Sequence, residues 1–139
     1  MNEELNILDK EFFPIINVKK ASCFNDNFRK EIWTGKNAQI TVMSIPVGGE
    51  IGLEMHDNLD QILVIEYGIA TVYSGKSKNS VTFKGYANNE CAVIIPAGTY
   101  HNLINEQNFP LKLFSIYAPP QHPVGTIHKT KFDSDLEDY

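Results

Sequence analysis

The chain has 139 residues, 42% of them hydrophobic and 21% charged, with a formal net charge of −5. This is enough for one ordinary globular domain, and its scattered basic residues argue against nucleic-acid binding, which needs clustered Lys and Arg. No segment is apolar over a membrane-spanning length, and the acidic start Met1–Glu4 is unlike a signal peptide. We therefore expect a cytoplasmic protein in which Cys23 and Cys91 are free thiols.

Short strands are predicted along most of the chain. Residues 1–20 hold two apolar stretches, Glu4–Leu8 and Phe12–Ile16, which fit a short helix or an edge strand, because Pro14 excludes a central one. Ser74–Ser80 resembles a hairpin loop, and Lys129–Tyr139 fits a short helix or a frayed end. Alternating or β-branched runs predict strands at Gln39–Ile45, Gln61–Tyr67, Ile69–Tyr73, Val81–Phe83, Cys91–Ile95, His101–Asn105 and Leu111–Tyr117.

About eight or nine short strands with close turns and almost no helix are typical of an antiparallel sandwich or barrel. We expect an N-terminal arm or edge segment over residues 1–27, a barrel over 28–120 and a C-terminal loop and tail over 121–139. The apolar segment Phe12–Val18 either adds a strand to a partner's sheet, which would protect an exposed edge, or packs on its own barrel.

Four side chains suggest a metal site. Glu54 and His56 share one face if their segment is a strand, and Gln61 follows a turn. His101 opens another strand after a Pro-x-Gly turn. Two imidazoles, one carboxylate and one amide oxygen would suit zinc, iron(II), manganese, nickel or cobalt. The alternative is that Glu54 and Gln61 only hydrogen-bond the two histidines inside an empty, wet barrel.

The spacing of these residues resembles the two motifs of the cupin superfamily. The first motif is matched at Gly48, Glu54, His56, Gln61 and Gly68, and the second at Pro96, Gly98, His101 and Asn105. Glu54 stands where the usual motif has its first histidine, and Gln61 stands where it has glutamate, so one carboxylate remains. More narrowly, the chain resembles small single-domain bacterial cupins labelled mannose-6-phosphate isomerase-like. The resemblance implies an all-β, jelly-roll-like antiparallel barrel that binds a divalent metal at Glu54, His56, Gln61 and His101.

The resemblance also implies a function, for which several hypotheses stay open. The first is a metal-dependent, isomerase-like enzyme acting on a small polar substrate such as a sugar or sugar phosphate, as a homodimer. His122, His128 or Tyr100 would move the proton, and residues 119–131 could cover the barrel mouth; the alternative for the histidines is an exposed loop. A non-catalytic cupin that binds or sequesters a small ligand is the second hypothesis, and an iron(II) dioxygenase the third.

One basic group is a candidate for binding an anionic substrate. Trp33 lies near Arg29 and Lys36 in the sequence, an arrangement that could bind a sugar phosphate. The blander interpretation is that Arg29 and Lys30 form a solvated surface pair, since basic residues beside an aromatic are common on protein surfaces.

Overall fold

A computed structural model describes residues 14–137, which form nine strands and two α-helices. The prediction of an all-β protein with antiparallel strands is confirmed. The helices are α1 (Val18–Phe24) and α2 (Lys131–Asp135). The strands are β1 (Arg29–Thr34), β2 (Gln39–Ile45), β3 (Asp60–Tyr67), β4 (Ala70–Gly75), β5 (Thr82–Ala87), β6 (Ala92–Ile95), β7 (Tyr100–Ile104), β8 (Leu111–Ala118) and β9 (Ile127–His128).

Two sheets face each other across the core. The larger has the strand order β6-β3-β8-β2-β1-β9, and the smaller has the order β5-β4-β7. Strand β8 lies inside the larger sheet and pairs along its length with β2 and β3. Both edges of β8 are therefore hydrogen-bonded. This pairing fixes the positions of the β8 side chains that point into the barrel.

The inward face of the larger sheet changes from apolar to polar along the strands. Because side chains alternate in a strand, every second residue of β2, β8 and β3 points inward. At one end, the paired residues are Ile45 with Leu111, followed by Met43 with Leu113 and Ile65. At the other end, they are Thr41 with Ser115 and Leu63, followed by Gln39 with Tyr117 and Gln61. The apolar end forms the core, and the polar end leaves buried groups that require partners.

Helix α1 and strand β1 were not anticipated from the sequence. Asn17 caps α1 by accepting a hydrogen bond from the Lys20 N–H at 2.9 Å, and Ala21 packs against Ile32 and Val42 on the outer side of the larger sheet. Strand β1 was not predicted because it begins with three charged residues, Arg29-Lys30-Glu31. This segment lacks the alternation of apolar and polar residues that indicates a strand.

The two ends of the described region pack against the sheets. Phe12 and Phe13 lie outside the described residues, whereas Ile16 packs against the cluster that contains Ala21. At the other end, the short-helix alternative for the tail is confirmed by α2, whose N-cap is Thr130. Neither α1 nor α2 has the length and apolar character that crossing a bilayer requires. Cys23 and Cys91 are free thiols.

The predicted strand through Glu54 and His56 is wrong. Residues 51–59 are irregular apart from one isolated bridge at Glu54. The physical reason is Gly52, whose φ of +101° does not occur in a regular strand, and whose N–H donates to the Asn102 side chain at 2.9 Å. We call residues 51–59 the ligand loop.

Candidate metal centre

A backbone bridge joins the ligand loop to β7. Glu54 and His101 exchange two main-chain hydrogen bonds, from the Glu54 N–H to the His101 carbonyl at 3.1 Å and from the His101 N–H to the Glu54 carbonyl at 3.0 Å. Residues directly opposite each other in such a bridge carry neighbouring side chains. Consequently Glu54 Oε1 lies 3.3 Å from His101 Nε2.

The second histidine completes a cluster of three ligand types. His56 Nε2 lies 3.6 Å from Glu54 Oε1, and the two imidazole rings have their centroids 5.8 Å apart. One ligand atom from each of Glu54, His56 and His101 lies within 4.8 Å of the other two, so a single ion could bind all three. The ligand loop and β7 thus place together residues that are about fifty positions apart in the sequence.

The hydrogen bonds of His101 and Gln61 suit metal ligation. His101 Nδ1 lies 3.0 Å from the Thr99 carbonyl, which can only accept, so Nδ1 donates there and Nε2 is the ring nitrogen that faces Glu54 and could bind a metal. Gln61 is 1% exposed, and its Nε2 donates to Ser115 Oγ at 2.9 Å, leaving Oε1 as the acceptor.

Four buried side-chain atoms of the described region have no hydrogen-bond partner: Arg29 Nε, Thr41 Oγ1, His56 Nε2 and Gln61 Oε1. An unsatisfied buried polar atom costs about 1–3 kcal/mol, so each of them calls for an explanation. A divalent cation bound by His56 Nε2 and Gln61 Oε1 would satisfy these two atoms. The donor set of two imidazoles, a carboxylate and an amide oxygen fits such a cation, without distinguishing among zinc, iron(II), manganese, nickel and cobalt.

The Glu54 carboxyl is held in its ionised form. Burial favours the neutral acid, but the hydrogen bond to His101 and the proximity of His56 outweigh it and hold the pKa of Glu54 well below its ordinary value. At neutral pH the carboxylate is therefore available as a ligand without first losing a proton.

Glu54 and His56 open into a pocket of about 590 Å³. The C-terminal loop forms part of its wall, because the buried Gln39 side chain accepts from the N–H groups of Gln121 and His122 at 3.1 and 2.9 Å. Residues of helix α2 also line the pocket. The other lining residues are Arg29, Glu50, Ile51, Gly52, Leu53, Met55, Gln121, His122, Lys131, Ser134, Asp135 and Glu137.

Of the three predicted proton-transfer residues, the structure brings His122 to this pocket. Its Nε2 lies 3.3 Å from the Tyr117 hydroxyl, and the Tyr117 ring packs against His56 with centroids 6.1 Å apart. Burial and the positive charge of Arg29 lower the pKa of His122 to about 3, so the ring is neutral at physiological pH. Burial raises the pKa of Tyr117, which therefore keeps its O–H.

The other two candidates do not line the pocket. His128 is buried between Arg29 Nη1, 3.2 Å from its Nδ1, and Glu137 Oε1, 3.3 Å from its Nε2. Tyr100 is partly buried at the start of β7, opposite Gly75 of β4. His128 therefore contacts the pocket-lining residues Arg29 and Glu137, and its ring centroid lies 6.3 Å from that of His122. Tyr100 precedes His101 in β7.

The sequence analysis offered Arg29 as an anion-binding residue only within a group with Trp33 and Lys36, and it assigned no role in the site to Tyr117. The interpretation of Arg29 as part of a solvated surface pair is wrong, because its side chain is 3% exposed and lines the pocket. Trp33 and Lys36 do not line it. The only sequence signal for Tyr117 is its position at the end of the apolar run of β8, where an inward-facing tyrosine brings a hydroxyl to the polar end of the barrel.

The two facing antiparallel sheets form the fold that is found in cupin domains. The cupin domain of Cnp3 from Schizosaccharomyces pombe matches with a TM-score of 0.57 at 15% identity, over 66% of this chain and 60% of that one. An oxalate decarboxylase from Lactobacillus farciminis matches with a TM-score of 0.56 at 18% identity, over 63% of this chain and 25% of that one. Likenesses at these identities concern the fold alone.

Closer relatives place the chain more narrowly. It is 48% identical over 135 residues to the uncharacterized protein YrkC of Bacillus subtilis, over 95% of this chain and 73% of that protein. It is 36% identical over 114 residues to the uncharacterized protein L612 of Acanthamoeba polyphaga mimivirus, over 81% and 69%. The crystal structure of BH2720 from Bacillus halodurans matches with a TM-score of 0.89 at 45% identity, over 93% of this chain and 98% of that one. The chain belongs to the family of YrkC. No protein-family model matches it.

Proposed function

We propose that this cupin is a metal-dependent enzyme acting on a small polar substrate, with one divalent metal held by Glu54, His56, Gln61 and His101. The observation that carries the proposal is the cluster of ligand atoms from Glu54, His56 and His101, all within 4.8 Å of one another. The buried atoms His56 Nε2 and Gln61 Oε1 support it, because neither has a hydrogen-bond partner among the described residues. A purely structural histidine or glutamine of this depth normally has its polar atoms satisfied by the protein.

The reaction we propose is a proton transfer on a sugar or sugar phosphate, of the isomerase type. When bound, the metal would supply a Lewis acid that polarises a carbonyl or hydroxyl oxygen. His122 is neutral, lines the same pocket and has a lone pair with which to accept a proton. The Tyr117 hydroxyl, 3.3 Å from His122 Nε2, would orient the ring and share its proton.

A second candidate is a non-catalytic cupin that binds a small ligand. The observation in its favour is the pKa of about 3 for His122, since a base this weak removes a proton from carbon slowly. A ligand that binds tightly and is recovered unchanged would support this candidate, whereas turnover would support the enzyme.

Elemental analysis of the purified protein tests the metal site. We expect about one metal per chain in the wild type and none in the His56→Ala/His101→Ala double variant. His122→Gln is the matched control, because it changes a pocket histidine outside the proposed ligand set and should keep its metal. Circular dichroism verifies that each variant is folded. A wild-type protein that takes up no zinc, manganese or iron(II) when each is offered would contradict the proposal.

Solvent exchange tests the proposed chemistry. Mannose 6-phosphate, glucose 6-phosphate and the free sugars are incubated with the metal-loaded protein in deuterated water, and loss of the proton beside the carbonyl is followed by NMR. We expect exchange with the wild type and none with His122→Gln at an unchanged metal content. Equal exchange with both proteins would remove His122 from the mechanism.

A further inference from the structure

We propose that the pocket recognises its substrate through a carboxylate bound to Arg29, so that the substrate of the proposed reaction is a small sugar acid and not a sugar phosphate. This inference rests on the proposed function, because it concerns the same pocket. The acid group would pair with the guanidinium, while hydroxyl or carbonyl oxygens would face Glu54 and His56, which line the pocket with Arg29.

The first argument is that Arg29 is a buried cation that makes no direct ion pair with a carboxylate of the described residues. Its side chain is 3% exposed, and no carboxylate of residues 14–137 forms an ion pair with it. A guanidinium remains charged at every physiological pH, so it cannot avoid the cost of burial by losing a proton. A buried charge of this kind is normally compensated by an opposite charge.

The second argument concerns the donors of the guanidinium. Arg29 Nη1 donates to Ser134 Oγ at 2.7 Å and lies 3.2 Å from His128 Nδ1, so helix α2 and β9 hold this end of the group in place. Within the described part of the chain, the Nε–H has no acceptor. The guanidinium is thus held at one end by Ser134 and His128 and keeps one buried donor without an acceptor among the described residues, as a binding group would.

The third argument concerns the remaining charges of the pocket. Lys131 Nζ pairs with Asp135 Oδ2 at 2.8 Å, and Glu137 Oε1 lies 3.3 Å from His128. Glu50 accepts a hydrogen bond from the Asn102 side chain at 3.0 Å. Lys131 therefore has a carboxylate partner, whereas Arg29 is the lining cation that makes no direct ion pair with a carboxylate of the described residues.

These charges favour a carboxylate over a phosphate. A carboxylate carries one negative charge, which balances one guanidinium, and its two oxygens match the planar geometry of the group. A phosphate monoester carries nearly two charges and would need a second cation. Lys131, the other basic side chain of the pocket wall, is already paired with Asp135.

The test uses NMR, because Arg29 is the only arginine of the sequence. A tag-free, nitrogen-15-labelled and metal-loaded protein therefore gives a single arginine Nε–H signal that needs no assignment. The probes are D-gluconate, D-glucitol, which is the same polyol without the acid, and glucose 6-phosphate, each at millimolar concentration. We expect gluconate to shift the signal with saturation, and glucitol to leave it unchanged.

Variants complete the test. We expect Arg29→Lys to bind gluconate about tenfold more weakly, because lysine keeps the charge and loses the planar pair of donors. Lys36→Met, the control at an exposed cation that does not line the pocket, should bind as the wild type does. The wild-type comparison of gluconate with glucitol remains decisive if Arg29→Lys fails to fold.

The outcomes separate this inference from the proposed function. An absent gluconate shift, equal shifts with gluconate and glucitol, or tighter binding of glucose 6-phosphate would each overturn the carboxylate assignment even if the metal is present. A gluconate shift that saturates in a protein unable to hold metal would support Arg29 as the anion site and would remove the metal-dependent enzyme.

Discussion

The buried His122 ring predicts an acid-sensitive fold. Its pKa is about 3 in the folded protein, lowered by burial first and then by the charge of Arg29, against 6.5 for an ordinary histidine. His128 and His56 also lower it, and Glu54 raises it. Because the folded pKa lies below the unfolded one, the unfolded chain binds the proton first. Stability contributed by the neutral ring is therefore complete above pH 6.5 and is lost as the pH falls toward 3.

The size of the effect follows from the two pKa values. Linkage between a folded pKa of about 3 and an unfolded pKa of 6.5 gives a loss of about 2 kcal/mol on going from neutral pH to pH ~5. This window lies above the range in which Glu54 titrates, since the pKa of that carboxyl is well below its ordinary value.

Urea unfolding of the metal-free protein at pH ~7 and pH ~5 measures this loss, and His122→Phe is the comparison variant. Phenylalanine can keep the edge-to-face contact with Tyr117, where the ring centroids are 5.1 Å apart, but it cannot bind a proton. We expect the wild type to lose about 2 kcal/mol more than His122→Phe over this interval. Equal losses in the two proteins would refute the reasoning, because they would show that the ring does not resist protonation.

Three further predictions concern stability and are read from urea or thermal unfolding. Asn105→Ala should cost about 3 kcal/mol, because its buried Nδ2 donates to three main-chain carbonyls; a cost under about 1 kcal/mol would contradict this. Gly68→Ala should cost about 2 kcal/mol, since φ is +95° and a Cβ would lie 2.8 Å from a carbonyl oxygen. Gly98→Ala is its control, with a φ of +81° and no heavy atom within 4 Å, and it should cost about half as much. Leu63→Ala should cost about 3 kcal/mol at a fully buried position, while Ile94→Ala, 63% exposed, should change stability by less than about 0.5 kcal/mol.

The strands and the ligand residues could be predicted from local patterns. The β-branched run that contains Gln61 and the turn before His101 indicate strands because both signals lie within a few residues. Glu54 and His56 were chosen on the assumption of a strand, yet they lie in the ligand loop. Their side chains meet the other ligands because the backbone bridge to His101 substitutes for a regular ladder.

The position of Arg29 in the pocket could not be predicted from local sequence patterns. In sequence it starts a run of charges, which normally faces solvent. Its burial depends on β9 and α2, about a hundred residues later, which place His128 and Ser134 against its guanidinium. A contact of that separation leaves no periodic signal near Arg29, so its place in the pocket could be found only from the folded chain.

Two of the proposed ligands lie on strands and two lie on the ligand loop, and this difference affects the rate at which a bound metal would dissociate. Gln61 lies on β3 and His101 lies on β7, and each of these strands is hydrogen-bonded within its own sheet. Glu54 and His56 instead lie on the ligand loop. Two main-chain hydrogen bonds at the Glu54–His101 bridge join this loop to β7. Opening the loop breaks those two bonds, the Gly52–Asn102 bond, and the main-chain bonds from Ile51 to Leu103 and from Gly98 to His56. It separates no strands, so it is a local event. We expect metal release to follow the rate of this opening and to be much faster than global unfolding. A chelator should then empty the site while amide protons of β8 remain protected from exchange with solvent.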